Sequence, residues 1–371
     1  MSTDPTRVAP ARLQQIALAR RSLASGSVPA SGLAPWIERS WQRCLAQGRR
    51  PGERLGFDLV PAQALRRAEE AHHALLSAAR PVMARLARAI AGSRYFALLT
   101  DSTGMVIAAE GAIDHGDRRA QLISRVGVDL SERAVGTTAI GAALTELEPV
   151  WLHRGEHFHD DTACYSCAGA PVFGTAGECL GMLDVTGIDA VERPELRHLV
   201  AQSARAIENA LVLAAPHALL LRLNWPGGLG GGDDDGLLCL SAEGAIRAAN
   251  RPARDMTGLG ARGPHHCSDV FATPWGQLFD AALRGQPVEV PLWSGLRVQV
   301  QASRNGRVVA VPMPVPSPVP ATVPAGALPL RDLETELIRR AVREARGNVM
   351  EAARVLGISR ATIYRRLRRL P

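Results

Sequence analysis

The chain has 371 residues, with 43 basic against 36 acidic side chains, a formal charge of +7 and 46% hydrophobic residues. That length calls for two or three domains with cores of their own, and no apolar run reaches the ~18 residues that a membrane helix needs. No charged-then-apolar leader is read, so the expected compartment is the cytoplasm; there the six scattered cysteines (Cys44, Cys164, Cys167, Cys179, Cys239, Cys267) read as reduced thiols, not as a disulfide framework. Every basic residue is arginine, which removes the lysine that a phosphate-binding P-loop and Schiff-base chemistry both require.

In chain order, residues 11–25 and 33–47 have helical spacing, and 61–91 reads as a longer helix interrupted by Pro81. From Tyr95 the period changes. Tyr95 to Leu99, a turn at Asp101-Ser102-Thr103-Gly104, and Met105 to Ala108 read as a β-hairpin. Ser131 to Leu147 reads as helix, then Pro149 to Leu152 as strand. A second hairpin runs from Ala170-Pro171-Val172-Phe173 through Gly174 to Gly177 into Cys179 to Val185. Residues 190–214 form an amphipathic helix with Leu196, Leu199, Val200, Ala204, Ile207 and Leu211 on one side. The Gly- and Asp-rich run from Asn224 to Asp235 reads as a linker. Short strands resume over 236–311 around helical pieces, and 312–329 carries seven prolines in eighteen residues, an extended spacer.

The tail, residues 331–371, holds eleven arginines against five acids, which is +6 of the chain's +7. A basic tail on a nearly neutral body points to a polyanion partner. Leu333, Leu337, Ile338, Ala341, Val342 and Ala345 share one face of a first helix, and Val349, Ala352, Ala353 and Leu356 one face of a second. Gly357 suits a helix stop and Ser359 the cap of a third helix. With Ile363, Leu367 and Leu370 inward, Ala361, Thr362, Arg365 and Arg369 turn outward, flanked by Arg360 and Arg366; arginine there can pair bidentately with guanine or hold phosphates.

Asn348, Ala352-Ala353, Leu356 to Arg360, Thr362 and Tyr364-Arg365 together resemble the Fis-type helix-turn-helix of bacterial enhancer-binding regulators. The resemblance implies a homodimer on a palindromic double-stranded DNA site, with Ser359, Arg360, Ala361, Thr362, Tyr364, Arg365, Arg366 and Arg369 as the reading surface. Ile37-Glu38-Arg39-Ser40-Trp41-Gln42-Arg43-Cys44, then Gly127 to Glu132 with Gly136-Thr137-Thr138-Ala139-Ile140-Gly141, then Gly155-Glu156-His157-Phe158, Cys167 to Val172 and Gly181 to Asp184 resemble the acetoin-catabolism subfamily of those regulators. They imply a GAF-type sensor for a small-molecule effector. Gly244 to Asn250 resembles the first hairpin and asparagine of a PAS domain. The expected architecture is a multidomain α/β chain: an N-terminal helical region (1–60), a GAF-like α/β sensor (61–214), a linker (215–235), a PAS-like α+β module (236–311), a proline-rich linker (312–330) and an all-α helix-turn-helix (331–371). The family's middle ATPase is not matched, since about 115 residues separate sensor from reader and carry no P-loop. The expectation is therefore a regulator that acts by DNA occupancy, as a repressor, a competitor or an activator touching RNA polymerase, and not an enzyme.

For the effector, the residues picked to line a pocket between the sheet and 131–167 are Trp151, His157, Phe158 and Cys167; Asp184, inside a strand, is as readily structural. His153, His157, His159, Cys164 and Cys167 fall within fifteen residues, and thiolates and imidazoles so spaced can bind metal. The reading adopted needs no cofactor and no metal. The alternatives are a metal or redox sensor using His157, His159, Cys164 and Cys167, or an enzyme with an accessory basic tail.

Overall fold

The computed structural model describes residues 8–24, 33–57, 70–228, 231–260 and 265–304, together with 342, 349, 350 and 353. The chain divides into two compact units, Met1–Val311 and Pro312–Pro371. Nearly all of the described residues belong to the first, which contains two five-stranded antiparallel sheets.

The first sheet has the order β2-β1-β5-β4-β3, formed by β1 (Tyr95–Asp101), β2 (Val106–Gly111), β3 (Val150–His153), β4 (Tyr165–Phe173) and β5 (Cys179–Ile188). Alternation along these strands divides their side chains between two covered faces. On one face Tyr95, Ala97, Leu99, Trp151, Ala168 and Leu183 pack against α3 (His73–Ile90) and α7 (Leu196–Ala214). On the other, Phe96, Leu98, Tyr165, Cys167 and Met182 pack under α4 (Arg118–Ser124), α5 (Glu132–Val135) and α6 (Ala139–Glu146).

Two readings of the sequence change here. Pro81 does not interrupt its helix: α3 runs through it, with Pro81 on the exposed side, where water can meet the carbonyl that the ring leaves free. The stretch from Ser131 to Leu147 is two helices, not one. Ser131 caps α5 by accepting from the Ala134 amide at 3.3 Å, and Thr138 caps α6 by accepting from the Gly141 amide at 3.2 Å. Between them Gly136 has φ +71°, and a Cβ there would come within 2.8 Å of the His159 ring, so the break needs glycine.

Two N-terminal helices, α1 (Val8–Ala24) and α2 (Pro35–Ala46), close over the same side, where Ala19, Ile37, Trp41 and Cys44 form a core with Phe158. The second sheet, β8-β7-β6-β10-β9, comprises β6 (Leu219–Asn224), β7 (Gly236–Leu240), β8 (Ile246–Ala249), β9 (Val288–Pro291) and β10 (Arg297–Arg304). Its main core lies beneath α8 (Arg251–Thr257) and α9 (Gly276–Arg284). β6 lies at the centre of this sheet, within 215–235, the stretch read as a linker. Asp235 at the end of that stretch is buried and accepts from Asn224 Nδ2 (2.6 Å) and the Gly231 amide (2.7 Å). The Gly- and Asp-rich run is thus the turn between two paired strands.

Candidate functional site

A cavity of about 30 Å³ lies against the α5–α6 face of the first sheet, bordered by Leu98, Thr138, His157, Tyr165, Cys167, Asp184 and Thr186 among others. Strand register assembles its floor: Asp184 pairs with Leu98 on one side and Gly169 on the other, and Cys167 with Thr186. Thr138 reaches it as the cap of α6, and His157 from the turn after β3.

Its polar groups are incompletely satisfied. Asp184 is fully buried; its Oδ2 accepts from the Thr186 hydroxyl, and its Oδ1 has no partner. Burial pushes its carboxyl up to about 7, against the Thr186 hydrogen bond. The same hydroxyl lies 3.3 Å from Cys167 Sγ, and burial raises that thiol well above its ordinary value, so it is a thiol and not a thiolate. His157 is also fully buried, and its Nδ1 lies 2.8 Å from the Arg154 carbonyl. A carbonyl only accepts, so the proton is on Nδ1 and Nε2 is left as a bare acceptor without a partner. Burial lowers this imidazole to about 4. One unsatisfied acid and one unsatisfied base therefore border the same small space.

The N-terminal helices hold both walls of the cavity. Arg20 Nη1 donates to the carbonyls of Gly155 (3.2 Å), His157 (2.7 Å) and Phe158 (3.2 Å). Arg12 bonds Glu156 at 2.8 Å, and the Trp41 indole donates to the Glu156 carbonyl at 3.0 Å. On the opposite wall Arg43 forks onto Glu132 (2.6 and 2.8 Å), while Ser40 bonds both Glu132 and Thr137 at 2.7 Å. Ser40, Trp41 and Arg43 belong to the segment singled out in the sequence, and these contacts are what its residues do.

Of the four residues picked as pocket lining, the structure brings His157 and Cys167 to one cavity. Trp151 is on the other face of β3, in the core with α3 and α7, because neighbouring residues of a strand face opposite sides. Phe158 is buried against α2. Asp184, Thr186, Thr138 and Tyr165 were not picked; the one available signal was a carboxylate inside an apolar strand run. His159, with neither ring nitrogen hydrogen-bonded, packs edge-on to Phe158 at 4.9 Å, and His153 bonds Ser166 at 2.8 Å. The histidines and cysteines are thus dispersed. Among the described residues no group of three or more His, Cys, Asp or Glu is placed to hold a metal ion, and all six cysteines are free. No described helix is long and apolar enough to cross a membrane. The residues picked for DNA contact, Ser359, Arg360, Ala361, Thr362, Tyr364, Arg365, Arg366 and Arg369, lie outside the described residues.

Comparison with known proteins adds two matches. Residues 10–209 match the family described as "MimR, N-terminal domain", and residues 329–370 match "Bacterial regulatory protein, Fis family". The chain is 30% identical over 255 residues to the acetoin catabolism regulatory protein of Cupriavidus necator, covering 67% of this chain and 38% of that protein. It is also 30% identical over 193 residues to the acetoin dehydrogenase operon transcriptional activator AcoR of Bacillus subtilis, covering 52% and 32%. The chain thus spans well under half the length of these relatives. A solved structure, the E. coli DhaR(N)–DhaL complex, aligns with a TM-score of 0.46 at 15% identity over 72% of this chain and 99% of that one. By residues 10–209, more than half its length, the chain belongs to the family of the MimR N-terminal domain, and at 329–370 it also matches the Fis family of bacterial regulatory proteins.

Proposed function

We propose that this protein is a cytoplasmic, homodimeric, ligand-responsive regulator that binds a palindromic DNA site and works without hydrolysing ATP. The observation that carries the reading is the Fis-family match at 329–370, on a tail holding eleven arginines and five acids. The names of the relatives, a regulatory protein and a transcriptional activator, support it. ATP independence is supported by the sequence between sensor and reader, which has neither lysine nor a P-loop. The reading assigns 61–214 to a GAF-type sensor, 236–311 to a PAS-like module and 331–371 to the DNA reader, with 1–60 as a helical cover and 215–235 and 312–330 as connections. Regulation then follows from occupancy of DNA, with or without contact to RNA polymerase.

The cavity suggests the effector's chemistry. His157 Nε2 needs a hydrogen-bond donor, and Asp184, whose carboxyl burial raises to about 7, donates to an acceptor in its protonated form. A small neutral molecule carrying a hydroxyl beside a carbonyl meets both. The walls of this small space are tied to α1 and α2. This gives ligand entry a mechanical route to the N-terminal helices.

The test is to map bound DNA with the full chain, with and without small hydroxyketones, and with residues 331–371 deleted. Sequence-specific binding that survives the deletion sinks the DNA reading; occupancy that responds to no such molecule sinks the sensing one. Arg365→Ala should weaken specific binding by about 1–3 kcal/mol if it reads a base; equal loss on all sequences would assign it to phosphate.

A further inference from the structure

A second and much larger space lies where α7, the end of β4, the β6–β7 turn and α8 meet: a cleft of about 550 Å³. Pro171, Ala204 and Met256 give it apolar walls, and Trp225, 42% exposed, stands at its side. Four carboxylates border it (Glu148, Glu208, Asp234 and Asp255) against two guanidiniums, Arg205 and Arg251. Both cations are engaged: Arg205 is 3.2 Å from Asp234, and Arg251 lies over the Phe173 ring at 5.1 Å. Glu148, Glu208 and Asp255 form no ion pair among the described residues.

Glu208 is the telling group. It is 3% exposed; its Oε1 accepts from the Phe173 amide at 3.0 Å, and its Oε2 has no partner. A buried carboxylate oxygen without a donor is costly, and a helix position facing a cleft is where a ligand can supply one. We infer that this cleft binds a small organic cation, its ammonium group on Glu208 and its hydrocarbon body between the apolar wall and the Trp225 ring. An ammonium donates to Oε2 and adds a positive charge where carboxylates outnumber guanidiniums. Burial pushes the Glu208 carboxyl up to about 7, against the Phe173 amide and the two nearby arginines. This site is separate from the cavity under the first sheet and does not depend on what that cavity binds.

The test is isothermal titration calorimetry of the full chain at pH 8, above the Glu208 value, with n-pentylammonium, 1-pentanol and pentanoate as probes. The expected result is binding of the ammonium at least tenfold tighter than of the other two. Glu208→Gln, which keeps the Phe173 contact, should cost at least tenfold in ammonium affinity and Trp225→Ala severalfold. No ammonium binding, equal binding of 1-pentanol, or full affinity in Glu208→Gln overturns the inference. If Glu208→Gln fails to fold by circular dichroism, Asp255→Asn on the exposed rim decides: at least threefold weakening supports the site, and no weakening overturns it.

Discussion

The first sheet buries Asp184 on its central strand and the second buries Asn250 at the end of its edge strand β8, and the two side chains are treated differently. In the second sheet Asn250 is 2% exposed and its side chain makes four hydrogen bonds. Its Oδ1 accepts from the amides of Leu237 (2.8 Å) and Ala253 (2.9 Å), while its Nδ2 donates to the Asp235 carbonyl and to Asn209 Oδ1, both at 2.8 Å. That side chain ties two strands, the cap of α8 and a residue of α7 together, and leaves nothing for a ligand to do. In the first sheet Asp184 and His157 are as deeply buried, yet each keeps an unpartnered atom. Buried polar groups in folded proteins are nearly always satisfied; Asn250 is fully engaged within the fold, while Asp184 and His157 keep hydrogen-bonding capacity that the described residues do not use.

Four experiments break or sharpen that contrast. The largest effect is expected from Asp184→Asn. The folded carboxyl titrates near 7 and the unfolded one near 3.8. Between those values the folded chain holds a proton that the unfolded chain has lost, so wild-type stability falls as pH rises toward 7. Removing the charge should stabilise the fold by about 4 kcal/mol at pH 8 relative to its effect at pH 4, read by denaturant unfolding at both pH values. An Asp184 that is secretly satisfied would give no pH-dependent gain.

Asn250→Ala, by contrast, should cost about 3 kcal/mol at every pH, because it strands buried backbone donors and adds no titrating group. A loss below about 1 kcal/mol would remove the case for Asn250 as scaffold. His157→Gln probes the opposite slope to Asp184. Its folded value of about 4 lies below the unfolded 6.5, so wild-type stability is present above 6.5 and falls with pH toward 4. The variant should flatten that acid limb by about 2–3 kcal/mol. The smallest effect belongs to the cover: Arg20→Ala should cost about 1 kcal/mol but should markedly speed amide hydrogen exchange over 154–160, whose carbonyls it holds. Unchanged exchange there would mean that α1 does not brace the wall.

Some of this was legible in the chain and some was not, for identifiable reasons. The hairpins were readable because alternation and turn glycines are local, and the structure pairs Leu98 with Ala109 and Ala170 with Leu183. The division of 131–147 into two helices was missed because helical spacing continues through it; only the packing of His159 against Gly136 shows why the chain breaks there. β6 was lost inside an expected linker because one of its partners, β10, pairs with it from 75 to 85 residues further on. Trp151 and Phe158 belong to the stretch read as bordering a pocket between the sheet and 131–167, and membership of that stretch does not say which side a residue faces.

The sequence by itself determined the locally periodic parts, such as the two hairpins of the first sheet, that the tail concentrates positive charge, and that no lysine exists for a P-loop. These follow from residue type and short-range spacing, which the backbone obeys locally. Only the tertiary structure decided which polar groups stay unsatisfied. Asp184, Thr186, Cys167 and His157 arrive from β5, β4 and a turn under a helical cover, and whether a buried atom finds a partner depends on everything packed around it.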